Sequence, residues 1–249
     1  MASKTKIKYA DKVANPYSGC QLCSAGCLNC YALKAAEHPR LRGKYGYPLD
    51  DPFRPGVYHP GWERGLGGKP SIVFVGSMTD MFGQWMTFSQ IDNVITRCAS
   101  KNINLFLTKR PKRMGEYLNH DILGEILFLN FYFGVSICNQ ADWDKNRKAL
   151  KIIKGFGFKT WISFEPLLEK ISLGATPLPA DRIIIGGESG HKARPMRSEW
   201  ALCLKDRAEK ENIPVWFKQP GDWAEKNLDW NDYSKYPKIT EIKPMEFWR

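Results

Sequence analysis

Nowhere does the chain carry a run of about 18 apolar residues, which excludes a membrane-spanning helix. Its opening residues, Met-Ala-Ser-Lys-Thr-Lys-Ile-Lys, lack the apolar middle of a secretory signal. The expectation is a soluble, cytoplasmic protein with no membrane partner. No segment repeats at a fixed period, no tract is of low complexity, and no dense polybasic tail is present. The formal net charge is nevertheless +11, from Lys and Arg spread along the chain. That balance favours an anionic partner, nucleic acid or a nucleotide, without marking the segment that meets it.

With 249 residues, 43% of them hydrophobic and 13% aromatic, the chain is long enough to bury a substantial core without staples. One domain over residues 1–249 is expected, with an irregular insertion over about 40–69 and a Trp-rich C-terminal wrap over about 221–249. Four of the seven cysteines, Cys20, Cys23, Cys27 and Cys30, crowd into one short stretch. Cytosolic thiols stay reduced, so such a cluster reads as a ligand set rather than a disulfide framework. Cys98, Cys138 and Cys203 fall in apolar periodic segments and read as small buried hydrophobes.

Short apolar runs at Val13–Tyr17, Ser71–Gly76, Ile103–Leu107, Phe131–Ser136, Lys159–Phe164, Arg182–Gly186 and Pro214–Lys218 predict strands. Helices are predicted at Tyr31–His38, Thr87–Cys98, around Arg113–Leu118, Asp142–Lys154 and Ser198–Glu211, the last with Ser198 as N-cap. The run Ile122–Leu129 fits either a helix or extended chain. Continuous apolar strands alternating with helices signal a parallel sheet covered by helices. The fold class is therefore α/β, a partial or full (β/α) barrel of six to seven parallel strands, with a doubly wound sheet as the alternative.

Nearly every predicted strand runs into polar residues, as the rim of a β/α active site requires. In order these are the cysteine loop, then Ser77, Thr79 and Asp80, then Thr108, Lys109 and Arg110, then Ser136 and Asn139, then Glu165, then Glu188, Ser189, His191 and Arg194, then Lys218 and Gln219. Each has a plainer reading: Asp80 as a helix cap, Lys109-Arg110-Pro111 as a solvated turn opening a helix, Glu165 and Glu188 as partners in structural ion pairs. Four thiolates suit zinc, although the three residues between Cys23 and Cys27 are cramped for a structural zinc site. They suit an iron–sulfur cluster as well, and three ligands would leave one iron open.

Asn15-Pro16-Tyr17-Ser18-Gly19-Cys20 followed by Gly26-Cys27-Leu28-Asn29-Cys30-Tyr31-Ala32 resembles the radical S-adenosylmethionine (SAM) enzymes. It resembles even more a phage- and prophage-associated branch of them, to which Leu107-Thr108-Lys109-Arg110-Pro111, Ser163-Phe164-Glu165-Pro166, Gly186-Gly187-Glu188-Ser189-Gly190 and Phe217-Lys218-Gln219 are also similar. The resemblance implies a radical SAM-like barrel with a 4Fe-4S cluster on Cys20, Cys27 and Cys30, and SAM chelating the remaining iron. The wider superfamily's C-x3-C-x2-C spacing makes Cys23 the alternative to Cys20. Reductive cleavage of SAM to a 5′-deoxyadenosyl radical and an electron donor such as a flavodoxin or ferredoxin are implied with it. By position, Ser77, Thr79 and Asp80 would meet SAM, and Ser136, Glu165 and Glu188 would line the SAM or substrate pocket. Lys109, Arg110, Arg194 and Lys218 would face a substrate or its phosphate, the expected substrate being a nucleic-acid base or nucleotide. The residues name no reaction. Asn29 departs from the aromatic residue many members carry there, and Gly186-Gly187-Glu188 lies too late in the chain to be the superfamily's Gly-Gly-Glu element.

Overall fold

In the computed structural model, residues 3–5, 7–98, 101–120 and 130–249 are described; the ambiguous run 122–129 lies outside them. The N-terminal part contains β1 (Ser3–Lys4), β2 (Lys12–Ala14), β3 (Tyr17–Ser18), α1 (Tyr31–Glu37), α2 (Pro39–Tyr45) and β4 (Val57–Tyr58). Strands and helices then alternate as β5 (Ile72–Val75), α3 (Phe88–Cys98), β6 (Ile103–Thr108), α4 (Pro111–Leu118), β7 (Phe131–Ser136) and α5 (Gln140–Gly155). After β8 (Lys159–Phe164) come β9 (Arg182–Gly186), α6 (Ser198–Lys210), β10 (Val215–Gln219), α7 (Asp222–Asn227), α8 (Trp230–Tyr233) and α9 (Pro244–Trp248).

The main sheet is ordered β1-β2-β5-β6-β7-β8-β9-β10, with β1 antiparallel to β2 and the other seven strands parallel. Each parallel strand neighbours its predecessor in the sheet, so the order never reverses. This separates the fold from a doubly wound sheet and gives an open, curled half-barrel. No helix among the described residues is long and apolar enough to cross a membrane.

Helices cover the convex face because their apolar residues recur at helical spacing. Ile91, Val94, Ile95 and Cys98 of α3, Leu150 and Ile153 of α5, and Ala201 and Leu204 of α6 are buried in one core with Phe106, Phe133, Ile162 and Ile185 of the strands. The alternate strand residues point into the concave side: Phe74, Leu105, Tyr132, Trp161, Ile184 and Trp216. There they meet Tyr9 and, from the C-terminal wrap, Phe247 and Trp248. The Trp248 indole donates to the Tyr9 carbonyl at 2.8 Å, and the Tyr132 hydroxyl donates to the Trp248 carbonyl at 2.8 Å. Gly134 makes room for this plug, because a Cβ there would stand 2.2 Å from the Trp161 indole.

The same two-residue alternation, continued towards the strand C-termini, brings Ser136, Glu165, Gly186 and Lys218 onto the concave side above the aromatics. One end of the half-barrel is packed solid with rings, and the other is left to polar groups.

Four expectations need correction. The first strand does not run through Tyr17: β2 stops at Ala14, and Tyr17–Ser18 pairs antiparallel with Val57–Tyr58 in a separate ribbon. Pro16 offers no N–H to continue a ladder, and the Asn15 side chain turns away to accept from Ser77 Oγ and Met78 N. The start of the stretch read as irregular is helical, since α2 runs through it to Tyr45 from Pro39 at its first position. Ser198 is the first residue of α6 and not its cap; Arg197 holds that place, with no side-chain capping bond. Cys203 is exposed, since it lies off the buried Ala201–Leu204 stripe of α6, whereas Cys98 and Cys138 are buried.

Candidate cofactor site

The cysteine loop leaves the C-terminal end of β2, the first parallel strand. Gly19 adopts φ +84° and presses on the next layer so closely that a Cβ would stand 1.8 Å from the Arg54 carbonyl oxygen. Cys20 N donates to the Phe53 carbonyl at 3.2 Å and Gly19 N to the Met78 carbonyl at 3.0 Å. Ala25–Cys27 forms a 3-10 turn, and Cys30 stands immediately before α1.

All four cysteines of the loop line one cavity. Phe53, Phe74, Met78 and Leu107 give it apolar walls, and Ser77, Thr79, Asp80, Thr108, Lys109, Arg110 and Ser136 complete it. Cys20 and Cys30 pack against the small cluster of Ala32, Ala36, Tyr47 and Phe53. Cys27 is buried and Cys23 is exposed. A hydrogen bond from the Cys23 thiol, against the opposing effect of burial, holds Cys27 down to about 4, while the same bond and burial push Cys23 well up. Burial pushes Cys20 up to about 11. Among the described residues no group of three or more Cys, His, Asp or Glu side chains is arranged to hold a metal ion.

Two carboxylates dominate the rim. Asp80 accepts from Phe82 N, Thr108 Oγ1, Lys109 N and Arg110 Nη1, at 2.7 to 3.1 Å. Glu188 accepts from Asn29 Nδ2, Arg194 N and Arg194 Nε at 2.9 Å, and from Arg194 Nη2. Burial opposes the Glu188 charge, but the bonds from Arg194 and Asn29 prevail and hold its carboxyl below the ordinary range.

A family model described as a protein of unknown function, DUF5131, matches residues 4–243. The chain belongs to the DUF5131 family. No curated protein matches it. Among solved structures, a spore photoproduct lyase mutant is similar to this DUF5131 chain at 11% identity, with a TM-score of 0.50, over 88% of this chain and 79% of that one. At that identity the likeness speaks for the fold alone, and it agrees with the α/β partial barrel expected from the sequence.

The DUF5131 fold brings Ser77, Thr79, Asp80, Lys109, Arg110 and Ser136 to the cavity of the cysteines. Glu165, Glu188, Arg194 and Lys218 are not among its lining residues. Lys109 Nζ donates to Ser136 Oγ at 2.8 Å, and Ser136 Oγ donates to the Glu165 carbonyl at 3.2 Å. The Glu165 carboxylate pairs with Lys218, half-buried on the concave side. Ser77 Oγ donates to Asn15 Oδ1 and Thr79 Oγ1 to the Gly19 carbonyl, so both hydroxyls hold the cysteine loop. Asn139 caps α5, accepting from Asp142 N at 2.8 Å. Gly26 and Cys138 were not among the expected site residues, yet Gly26 rests directly on the Cys138 thiol. The only signal for the first was its place before Cys27; for the second there was none beyond its position after β7.

Proposed function

We propose that this chain is a radical SAM enzyme whose 4Fe-4S cluster is held by Cys20, Cys27 and Cys30, with SAM as the second cofactor. The observation that carries this reading is the convergence of the loop thiols on one cavity at the C-terminal end of the first strand of a half-barrel, where β/α folds build their sites. The donor set fits an iron–sulfur cluster, being entirely thiol and walled by apolar side chains. Each ligand of a multi-iron cluster binds a different iron, so its thiols stand further apart than those around one ion. Among the described residues no side-chain group is arranged to hold a single metal ion, which gives no support to a four-cysteine zinc site. Cys20 is favoured over Cys23 because it shares an apolar wall with Cys30, whereas Cys23 is exposed.

When bound, cluster and SAM supply one-electron reductive cleavage and hydrogen abstraction from a substrate. The chain's own contribution is shielding and charge. Phe53, Phe74, Met78 and Leu107 give the cysteines' cavity apolar walls that limit water there. Burial disfavours the Lys109 charge, but Cys138, Cys27, Asp80 and Cys23 hold its pKa above the ordinary value, so a fixed cation faces the thiolates. The net charge of +11 and the likeness to a phage-associated branch favour a nucleic-acid base or nucleotide as substrate, in the cytoplasm, with a flavodoxin or ferredoxin as electron donor.

Anaerobic reconstitution with iron and sulfide tests the reading. About four irons and four sulfides per chain are expected, with visible charge-transfer absorbance. Stoichiometric zinc in tetrahedral four-cysteine ligation and no SAM binding would replace it with a zinc-stabilised nucleic-acid-binding protein.

A further inference from the structure

A loop that carries several metal ligands stays open to many conformations unless something outside it fixes its backbone. Besides the backbone bonds at Gly19 and Cys20, three side-chain ties do so further along the loop, at Gln21, Ala25 and Asn29. Arg110 gives Nη1 to Asp80 Oδ2 at 2.9 Å and Nη2 to the Gln21 carbonyl at 2.8 Å. Arg194 gives Nε and Nη2 to Glu188 and Nη1 to the Ala25 carbonyl at 3.0 Å. Asn29 gives Nδ2 to the same Glu188 and to the Lys192 carbonyl, both at 2.9 Å.

The two arginine brackets come from opposite parts of the half-barrel, one following β5 and β6, the other following β9. Each splits one guanidinium between a carboxylate and a loop carbonyl, Arg194 with two N–H groups on Glu188 and Arg110 with one on Asp80. A guanidinium presents its N–H groups as a rigid planar fork, so one edge docked on a carboxylate aims the other at a fixed point. Both carboxylates are buried, Asp80 at 6% exposure and Glu188 at 5%, and each already accepts four hydrogen bonds. The Arg110 guanidinium is further covered by the Trp85 ring, 4.8 Å from its centroid.

We propose that Arg110 and Arg194 are positioning residues, paired brackets that set the cysteine loop in register before any metal arrives, and that Asp80 and Glu188 serve to hold those arginines. This rests on the cluster reading above and reassigns four residues from ligand contact to loop support. Of the four cations expected to face a substrate, Lys109 and Lys218 then remain.

The test uses the full chain as wild type, Arg110→Ala, Arg194→Ala and Arg194→Lys, first iron-free and then reconstituted. In the iron-free chains, alkylation of the buried Cys27 by iodoacetamide is followed by peptide mass. Loss of a charged tie is expected to speed it at least about tenfold. Arg194→Lys is expected to behave more like the alanine variant, because an ammonium donates from a single point and lacks the planar fork that meets both Glu188 oxygens and the Ala25 carbonyl. After reconstitution the variants are expected to hold less iron or to show an altered EPR spectrum of the reduced cluster, with unchanged affinity for a single-stranded oligonucleotide. If an arginine variant fails to fold, Asn29→Ala removes a tie while leaving both arginines in place, and the same faster alkylation is expected.

Unchanged Cys27 alkylation in these variants would overturn the proposal. So would lost oligonucleotide affinity with normal iron and EPR, particularly if Arg194→Lys restored it. Failure of the wild type to take up iron would sink the cluster reading instead, and the alkylation arm would still decide the brackets.

Discussion

Gly26 lies against the thiol of Cys138, so that a Cβ at position 26 would stand 2.3 Å from that sulfur. The middle of the cysteine loop is thereby seated on the end of β7, with Pro166 also 3.4 Å from the same point. Cys138 is fully buried, and its sulfur has little room to retreat. Gly26→Ala is expected to destabilise the protein by about 1–3 kcal/mol, as overpacking does. Cys138→Ala in the same chain is expected to recover much of that loss, since the two sites share one contact. Urea midpoints of the two single variants and the double variant measure the coupling; strict additivity would show that the contact carries no strain.

The aromatic plug makes a separate prediction. Trp248 is 1% exposed, bonds Tyr9 and Tyr132, and stacks edge-on against Trp161 with ring centroids 5.4 Å apart. Trp248→Ala is expected to cost about 3–5 kcal/mol. It should do so without changing the alkylation rate of Cys27, because the plug fills the end of the barrel away from the loop. A stability change under 1 kcal/mol, measured by the same unfolding experiment, would mean that the C-terminal wrap is dispensable.

Acid sensitivity follows from Glu188. Its folded pKa lies below the unfolded value of about 4.3, so the charged form contributes stability above that value. The contribution fades as pH falls through the folded pKa and is absent where both states are protonated. Stability measured in steps below pH 5 should fall less steeply in Glu188→Gln than in the wild type. Parallel acid limbs in the two chains would contradict this.

Cysteine replacements separate ligands from bystanders. Cys27→Ala, Cys30→Ala and Cys20→Ala are each expected to lose most of the iron retained after anaerobic reconstitution, while Cys23→Ala keeps it. Iron analysis per chain reads the result directly. Retention in Cys20→Ala together with loss in Cys23→Ala would move the third ligand to the C-x3-C-x2-C pattern.

Much of the scaffold was legible because its signals are local. Ile72–Val75 and Arg182–Gly186 are short runs of β-branched residues bounded by glycine or proline, and a strand buried on both faces reads that way. The cysteine loop announced itself by spacing. What could not be read was where the polar strand ends point. Glu188 looks the same in sequence whether it faces a ligand or a side chain of the loop, and its partner Asn29 lies 159 residues away. The Tyr17–Ser18 ribbon was hidden for a related reason, since its pairing strand, Val57–Tyr58, is two residues long in an otherwise irregular stretch. Nor could apolar content reveal that Trp248, in a polar tail, closes the concave face.

The central claim is that the cysteine loop and the half-barrel above it form a SAM-cleaving site. Reconstituted wild-type protein, incubated anaerobically with SAM and dithionite, is therefore assayed for 5′-deoxyadenosine by mass. The account predicts its formation by the wild type and its absence with Cys27→Ala. A fully reconstituted wild type that binds SAM yet yields no 5′-deoxyadenosine above the Cys27→Ala background would contradict it.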